Sequence, residues 1–209
     1  MNWCRFFLVL YVMYIFLILD GYYFLVLNVS LAYIPLELAV LVYRKERKAY
    51  IFWPIAFVWL LFFPNSPYLL TDFFHLENLH INAAGVGVFS NNPYIWERFT
   101  VMTVGVCFGL YTGFVSLKWM LDECLLRFKT TNNVVYWATF VCISVLSGYA
   151  IYLGRFARLH SVHLFTDPLH SIQQMIAVFS YQMVYFIACF MVIQTLVYLI
   201  FLKFPNKKD

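Results

Sequence analysis

Two stretches of the chain carry most of the residues able to hold or move charge next to apolar helices. The first, FPNSPYLLTDFFHL at residues 63–76, drops two prolines, Asp72 and His75 into an apolar run. The second, YLGRFARLHSVHLFTDPLH at residues 152–170, holds Arg155, Arg158, His160, His163, Asp167 and His170. An acid and an imidazole three residues apart share one helix face. Asp72 and His75 are therefore the candidate catalytic pair, suited to orient a bound group or exchange a proton with it. Arginine presents a planar fork of donors that matches phosphate and carboxylate. Arg155 and Arg158, with Asn65 and Tyr68, are the candidate ligand contacts, and a lipid or glycolipid headgroup is the leading anionic ligand. Pairing of either arginine with Asp72, or snorkelling to phospholipid headgroups, is the structural alternative.

Asp72, His75, His160 and His163 also form an N/O set of the kind zinc accepts. No Cys-x-x-Cys or His-Glu-x-x-His spacing accompanies them, so no metal site is assigned. His163 and Asp167 echo the end of membrane phosphatidate-phosphatase motifs, but the Pro-Ser-Gly-His element is missing. Without a Gly-x-Ser-x-Gly turn, a phosphate-binding glycine loop or a haem-type Cys-x-x-Cys-His, the residues assign neither a reaction nor a cofactor.

The elements that must position these residues are membrane helices. The chain is 64% hydrophobic and only 11% charged, whereas a soluble domain is about half apolar and about a quarter charged. Apolar runs predict six spans, roughly 3–22, 24–43, 49–63, 99–120, 134–153 and 176–202, several of them near the ~20 residues that cross a bilayer core. The fold class expected is all-α: one polytopic membrane domain over residues 1–209 with about six transmembrane helices. The N-terminal run resembles a signal peptide but lacks a small-residue cleavage site, so it is expected to stay as the first helix. Asp20-Gly21 reads as the tight turn into the second helix.

Eleven of the fourteen Lys and Arg residues fall on one side of this arrangement, which predicts that both termini are cytoplasmic. Residues 64–98 and 154–175 then lie on the extracytoplasmic side. The net charge of +4 reads as a topology signal rather than a nucleic-acid footprint. Few charges and abundant Phe, Tyr, Ile and Leu fit a bacterial plasma membrane, with the lipid bilayer as the constant partner.

A third helix starting at Ala49 and ending before Pro64 rises only about 22 Å, short of the hydrocarbon thickness. The Pro-Asn-Ser-Pro break is thus expected within the outer leaflet, with Ser66 as an N-cap and Pro67 at the first position of a new helix that presents Asp72 and His75 beside a pocket. Gly105, Gly109 and Gly113 line one stripe where another helix can approach; Ser144 and Gly148 offer a matching stripe, and a partner chain is one candidate occupant. Glu37, an acid inside an apolar run, is a candidate for coupling-ion or proton work, with pairing to the basic 44–48 cluster or water access from the cytoplasm as the structural alternatives. These parts also suit a transport component or a membrane scaffold, the two alternative readings.

Together, Pro64-Asn65-Ser66-Pro67-Tyr68, Thr71-Asp72, His75-Leu76, Tyr152-Leu153-Gly154-Arg155-Phe156 and Arg158 resemble the bacterial integral membrane family known as domain of unknown function 1361. The resemblance spans nearly the whole chain and implies a membrane fold without an activity. In that family the second block continues Arg-Trp-Asn-Ser-Trp-Asp, whereas this chain reads Arg158-Leu159-His160-Ser161-Val162-His163. His160 and His163 depart from the pattern, which shifts the weight to Asp72, His75, Arg155 and Arg158.

Overall fold

The computed structural model describes residues 2–19, 21–45, 47–79, 89–157 and 167–203. Arg158, His160 and His163 lie outside the described residues. The architecture is an all-α membrane bundle in chain order: α1 (Asn2–Ile18), α2 (Tyr23–Val42), α3 (Ala49–Phe62), α4 (Asn65–Tyr68), a 3₁₀ helix (Leu69–Leu79), α5 (Pro93–Arg127), α6 (Asn133–Phe156), α7 (Pro168–Ala177) and α8 (Tyr181–Tyr198). Five segments are long and apolar enough to cross a bilayer: Tyr23–Val42, Ala49–Glu77, Pro93–Arg127, Asn133–Phe156 and Tyr181–Phe201. The 17-residue α1 makes a shorter sixth.

The helix starts follow local capping chemistry. Asn92 accepts from Tyr94 N with Pro93 at the first helical position, Asn132 accepts from Val134 N, and Ser180 accepts from Met183 N. The α1–α2 turn closes at Gly21, whose φ of 84° lies in the left-handed region that glycine enters without penalty. Several expected boundaries move, two of them at contacts that give the reason. The last span begins at Tyr181 rather than residue 176, because Ser180 caps it there. The fourth runs to Arg127, seven residues past residue 120, because its final turns bury their charge: Glu123 is 3% exposed and accepts from Arg127 Nη1 at 2.5 Å and from Arg44 N at 2.6 Å. That carboxylate ties Arg44, just past α2, to the end of α5.

Helix α5 is the central strut, packing against α2, α4, the 3₁₀ helix, α6 and α8. Its glycine stripe is consumed inside the chain, which corrects the expectation of a partner there. A side chain at Gly105 would overlap Tyr11, at Gly109 the end of Leu69, and at Gly113 the Oγ and Cβ of Ser66. Gly148 faces Ile187 of α8, not α5, at 3.4 Å from where a Cβ would stand. Glu37 is likewise spoken for: Arg5 of α1, rather than the 44–48 cluster, donates to both its oxygens at 2.7 Å, and Tyr33 adds a bond at 2.5 Å. An α1 residue wins because Glu37 lies on the α2 side that α1 covers.

The Pro-Asn-Ser-Pro segment holds the chief correction. The backbone does not unwind there: Phe63 and Pro64 keep right-handed helical dihedrals, and Ser66 N and Tyr68 N donate to Phe63 O and Pro64 O, both at 3.0 Å. Ser66 is not an N-cap. Its hydroxyl donates to Ala32 O at 3.0 Å, level with the middle of α2, and its Cβ seats on Gly113. With Ser66 N turned to Phe63, the Phe62 carbonyl is left over, and Asn65 Nδ2 donates to it at 2.9 Å. Trp59 Nε1 to Ser116 Oγ (3.0 Å) and Ser116 Oγ to Gly113 O (2.6 Å) complete a polar seam between α3 and α5.

Gly113 and Gly109 differ in what they face: a short, fixed serine against the flexible tip of a leucine. Gly113→Ala is expected to cost about 1–3 kcal/mol of stability through overpacking, and Gly109→Ala clearly less. Thermal unfolding of both variants in detergent checks the order.

Candidate functional site

The 3₁₀ helix from Leu69 to Leu79 positions the first polar block. Such helices rarely exceed three or four residues, because side chains at i and i+3 eclipse one another. Here that eclipsing is used. Leu69, Asp72 and His75 fall in one line that meets an antiparallel line on α2. Leu69 and Ala32 converge on Gly109, Asn28 Nδ2 donates to Asp72 Oδ1 at 3.1 Å and Oδ2 at 3.0 Å, and the His75 ring packs 4.4 Å from the Phe24 ring. Three residues of 3₁₀ helix rise about 6 Å, and so do four residues of α-helix. The steps 69, 72, 75 and 32, 28, 24 therefore stay in register, which an α-helical continuation after Tyr68 would lose.

Asp72 is fully buried, and His75 is half-buried on the same face. The expected placement of both on one face holds, but that face is turned to α2 rather than toward a pocket. A carboxylate enclosed among apolar helices is costly unless its oxygens are bonded, and the Asn28 amide supplies that bond. Thr71 Oγ1 donates to Tyr68 O at 2.7 Å, holding the turn where the helix tightens.

The second block arrives from α6, which continues through Phe156, so Gly154 and Arg155 belong to its last turn. A side chain at Gly154 would begin 3.8 Å from the Tyr68 ring, and the Arg155 guanidinium lies 5.9 Å from the centre of the Phe74 ring. The two blocks, separated by some eighty residues, thus meet at one end of the bundle. Arg155 is near enough for its charge to act on Asp72 and His75, yet it forms no ion pair with a described carboxylate.

Arg98, at the same end on α5, contrasts with it. It is 4% exposed, stacked 3.0 Å from the centre of the Tyr94 ring and 5.5 Å from that of Tyr22, and 3.7 Å from the Glu97 carboxylate. Arg98 is spent inside the fold, whereas Arg155 is half-exposed at its edge. Of the other candidate ligand contacts, Asn65 has its amide nitrogen committed to Phe62 O, and Tyr68 is half-buried against Gly154. Among the described residues, no three His, Cys, Asp or Glu side chains gather in a group able to hold a metal. His160 and His163 fall outside those residues.

Sequence reasoning missed Asn28 and Phe74. Asn28 is the one amide side chain in the apolar run of the second helix, a signal that the buried Asp72 makes meaningful. Phe74 carries no such signal, since aromatic residues crowd the whole chain.

The model of a family described as protein of unknown function (DUF1361) matches residues 27–197, from α2 through nearly all of α8. The match includes Asp72, His75, Arg155 and Arg158. The chain matches no curated protein and no solved structure.

Removing one partner from a buried polar pair strands the other, whereas replacing both with apolar groups is nearly neutral. Asn28→Leu is expected to destabilise the protein by about 1–3 kcal/mol, and Asp72→Leu in that background to restore most of the loss. Unfolding midpoints of the two single variants and the double check this.

Proposed function

The chain belongs to the DUF1361 family, and we propose that its working site is the end of the bundle where α6 meets the 3₁₀ helix, a shallow seat for an anionic lipid-type headgroup. The observation that carries this reading is Arg155: a half-exposed guanidinium, 5.9 Å from the centre of the Phe74 ring, without an ion-pair partner among the described residues. A guanidinium in this position offers its planar fork of donors to phosphate or carboxylate. Arg158, three residues further along the sequence, is proposed as a second contact for the same ligand.

In this reading Asp72 is the positioning acid. With both oxygens on Asn28 and no exposure, it fixes the 3₁₀ helix beneath the seat and leaves the ligand to Arg155. His75 stands one step nearer the end of that helix, where it contacts the headgroup's rim. The reading is of a binding protein. A catalytic role for Asp72 and His75 requires substrate to displace Asn28 from the carboxylate.

The orientation we propose follows the charge bias. Both chain ends and the basic 43–48 and 128–132 turns face the cytoplasm, and the Arg155 end faces outward, in a bacterial plasma membrane. Residues 1–209 act as one membrane domain.

Native mass spectrometry of protein released from bilayers of phosphatidylglycerol or phosphatidylcholine tests the site. The expected result is a retained anionic lipid whose occupancy falls about tenfold in Arg155→Ala, the loss of one charge-assisted contact of about 1.4 kcal/mol, and falls less in Arg155→Lys. Equal retention of phosphatidylglycerol by wild type and Arg155→Ala would sink the proposal. Substrate uptake by reconstituted vesicles, abolished in Arg155→Ala, would replace it with a transport role.

A further inference from the structure

Three buried side-chain oxygens on α6 and α8, two helices that pack against each other, have no hydrogen-bond partner: Ser144 Oγ, Ser147 Oγ and Gln194 Oε1. The three residues are 1%, 1% and 0% exposed. Ser144 and Ser147 lie one turn apart near the middle of α6, and Gln194 Nε2 donates to Ser144 O at 3.2 Å, which brings its amide to the same level. Other hydroxyls on these helices satisfy themselves. Thr139 Oγ1 donates to Val135 O at 2.9 Å and Thr195 Oγ1 to Met191 O at 2.7 Å, the usual back-bond of a hydroxyl in an apolar helix. The two serines forgo that bond, and their hydroxyls are buried without a partner.

We propose that Ser144, Ser147 and Gln194 form a binding site for a water molecule at the middle of the bilayer. The donor and acceptor count fits. Gln194 Oε1 only accepts, while each serine hydroxyl can donate or accept. A water that donates to Gln194 Oε1 and to one serine, and accepts from the other, closes three bonds, the usual number for a buried water. A metal cation fits poorly. It needs all three oxygens as acceptors, leaving both hydroxyl protons without a partner. Its charge would also sit uncompensated, since neither α6 nor α8 contains an acidic residue. The water pins the two helices close to Gly148, where a Cβ would stand 3.4 Å from Ile187 of α8.

Thermal unfolding of the full chain in detergent, for wild type, Ser144→Ala, Ser147→Ala and the double variant, tests this by sign. A shared water predicts that each single change lowers the midpoint by on the order of a few degrees. The double variant should fall by less than the sum, because the first change already loosens the water. A midpoint unchanged or raised in either single variant overturns the proposal, because deleting an orphaned hydroxyl removes only its desolvation cost. An additive double variant overturns it as well. Replacing sodium chloride with choline chloride should leave the wild-type midpoint where it is; a sodium-specific rise that disappears in Gln194→Leu overturns the water in favour of a cation.

Discussion

A helix inside a bilayer must pair its own backbone groups, because hydrocarbon offers no substitute for water. Pro64 and Pro67 break that rule in the middle of the third span, and much of the structure can be read as the answer. The chain tightens rather than unwinds. Ser66 N turns to Phe63, Asn65 covers the Phe62 carbonyl, and the Ser66 hydroxyl reaches α2 at Ala32. Gly113 provides the room for Ser66 to do so. Beyond Tyr68 the tightened coil persists as a 3₁₀ helix, whose three-residue step brings Asp72 onto Asn28 and His75 onto Phe24.

The polar residues of the chain then divide into those the fold consumes and those it leaves at an edge. Asp72, Glu37, Glu123 and Arg98 are each bonded or stacked by residues from the same bundle. Ion pairs and amide contacts of this sort are the ordinary way a membrane helix carries charge. Arg155 differs, because the helix that bears it ends just where the 3₁₀ helix passes and no described carboxylate meets it. The buried acid below and the braced cation above belong to one construction: Asn28 holds Asp72, Asp72 holds the 3₁₀ helix, and the 3₁₀ helix carries Phe74 to Arg155.

The membrane fold was legible in the sequence because crossing a bilayer demands long apolar runs, and five of the six expected spans match helices that meet that demand, with α1 as a shorter sixth. What failed was local reading of residues whose partners are distant. Ser66-Pro67 has the form of a helix cap, and only Ala32 and Gly113, far away in the chain, reveal it as a packing contact. Glu37 has a basic cluster a few residues on, yet pairs with Arg5 across 32 residues. The glycine stripe correctly signalled close approach but could not say from where. Asp72 and His75 were rightly placed on one face, since i and i+3 coincide in either type of helix, but which way that face turns depends on Asn28.

The register of the 3₁₀ helix against α2 underlies this whole arrangement, and cysteine cross-linking reads it out. In a chain otherwise freed of cysteine, Phe24→Cys is combined with either His75→Cys or Leu76→Cys and oxidised in native membranes. In a 3₁₀ helix one residue turns the side chain by about 120°. The 24–75 pair is expected to cross-link and the 24–76 pair is not; efficient cross-linking of 24–76 with none of 24–75 would overturn this register.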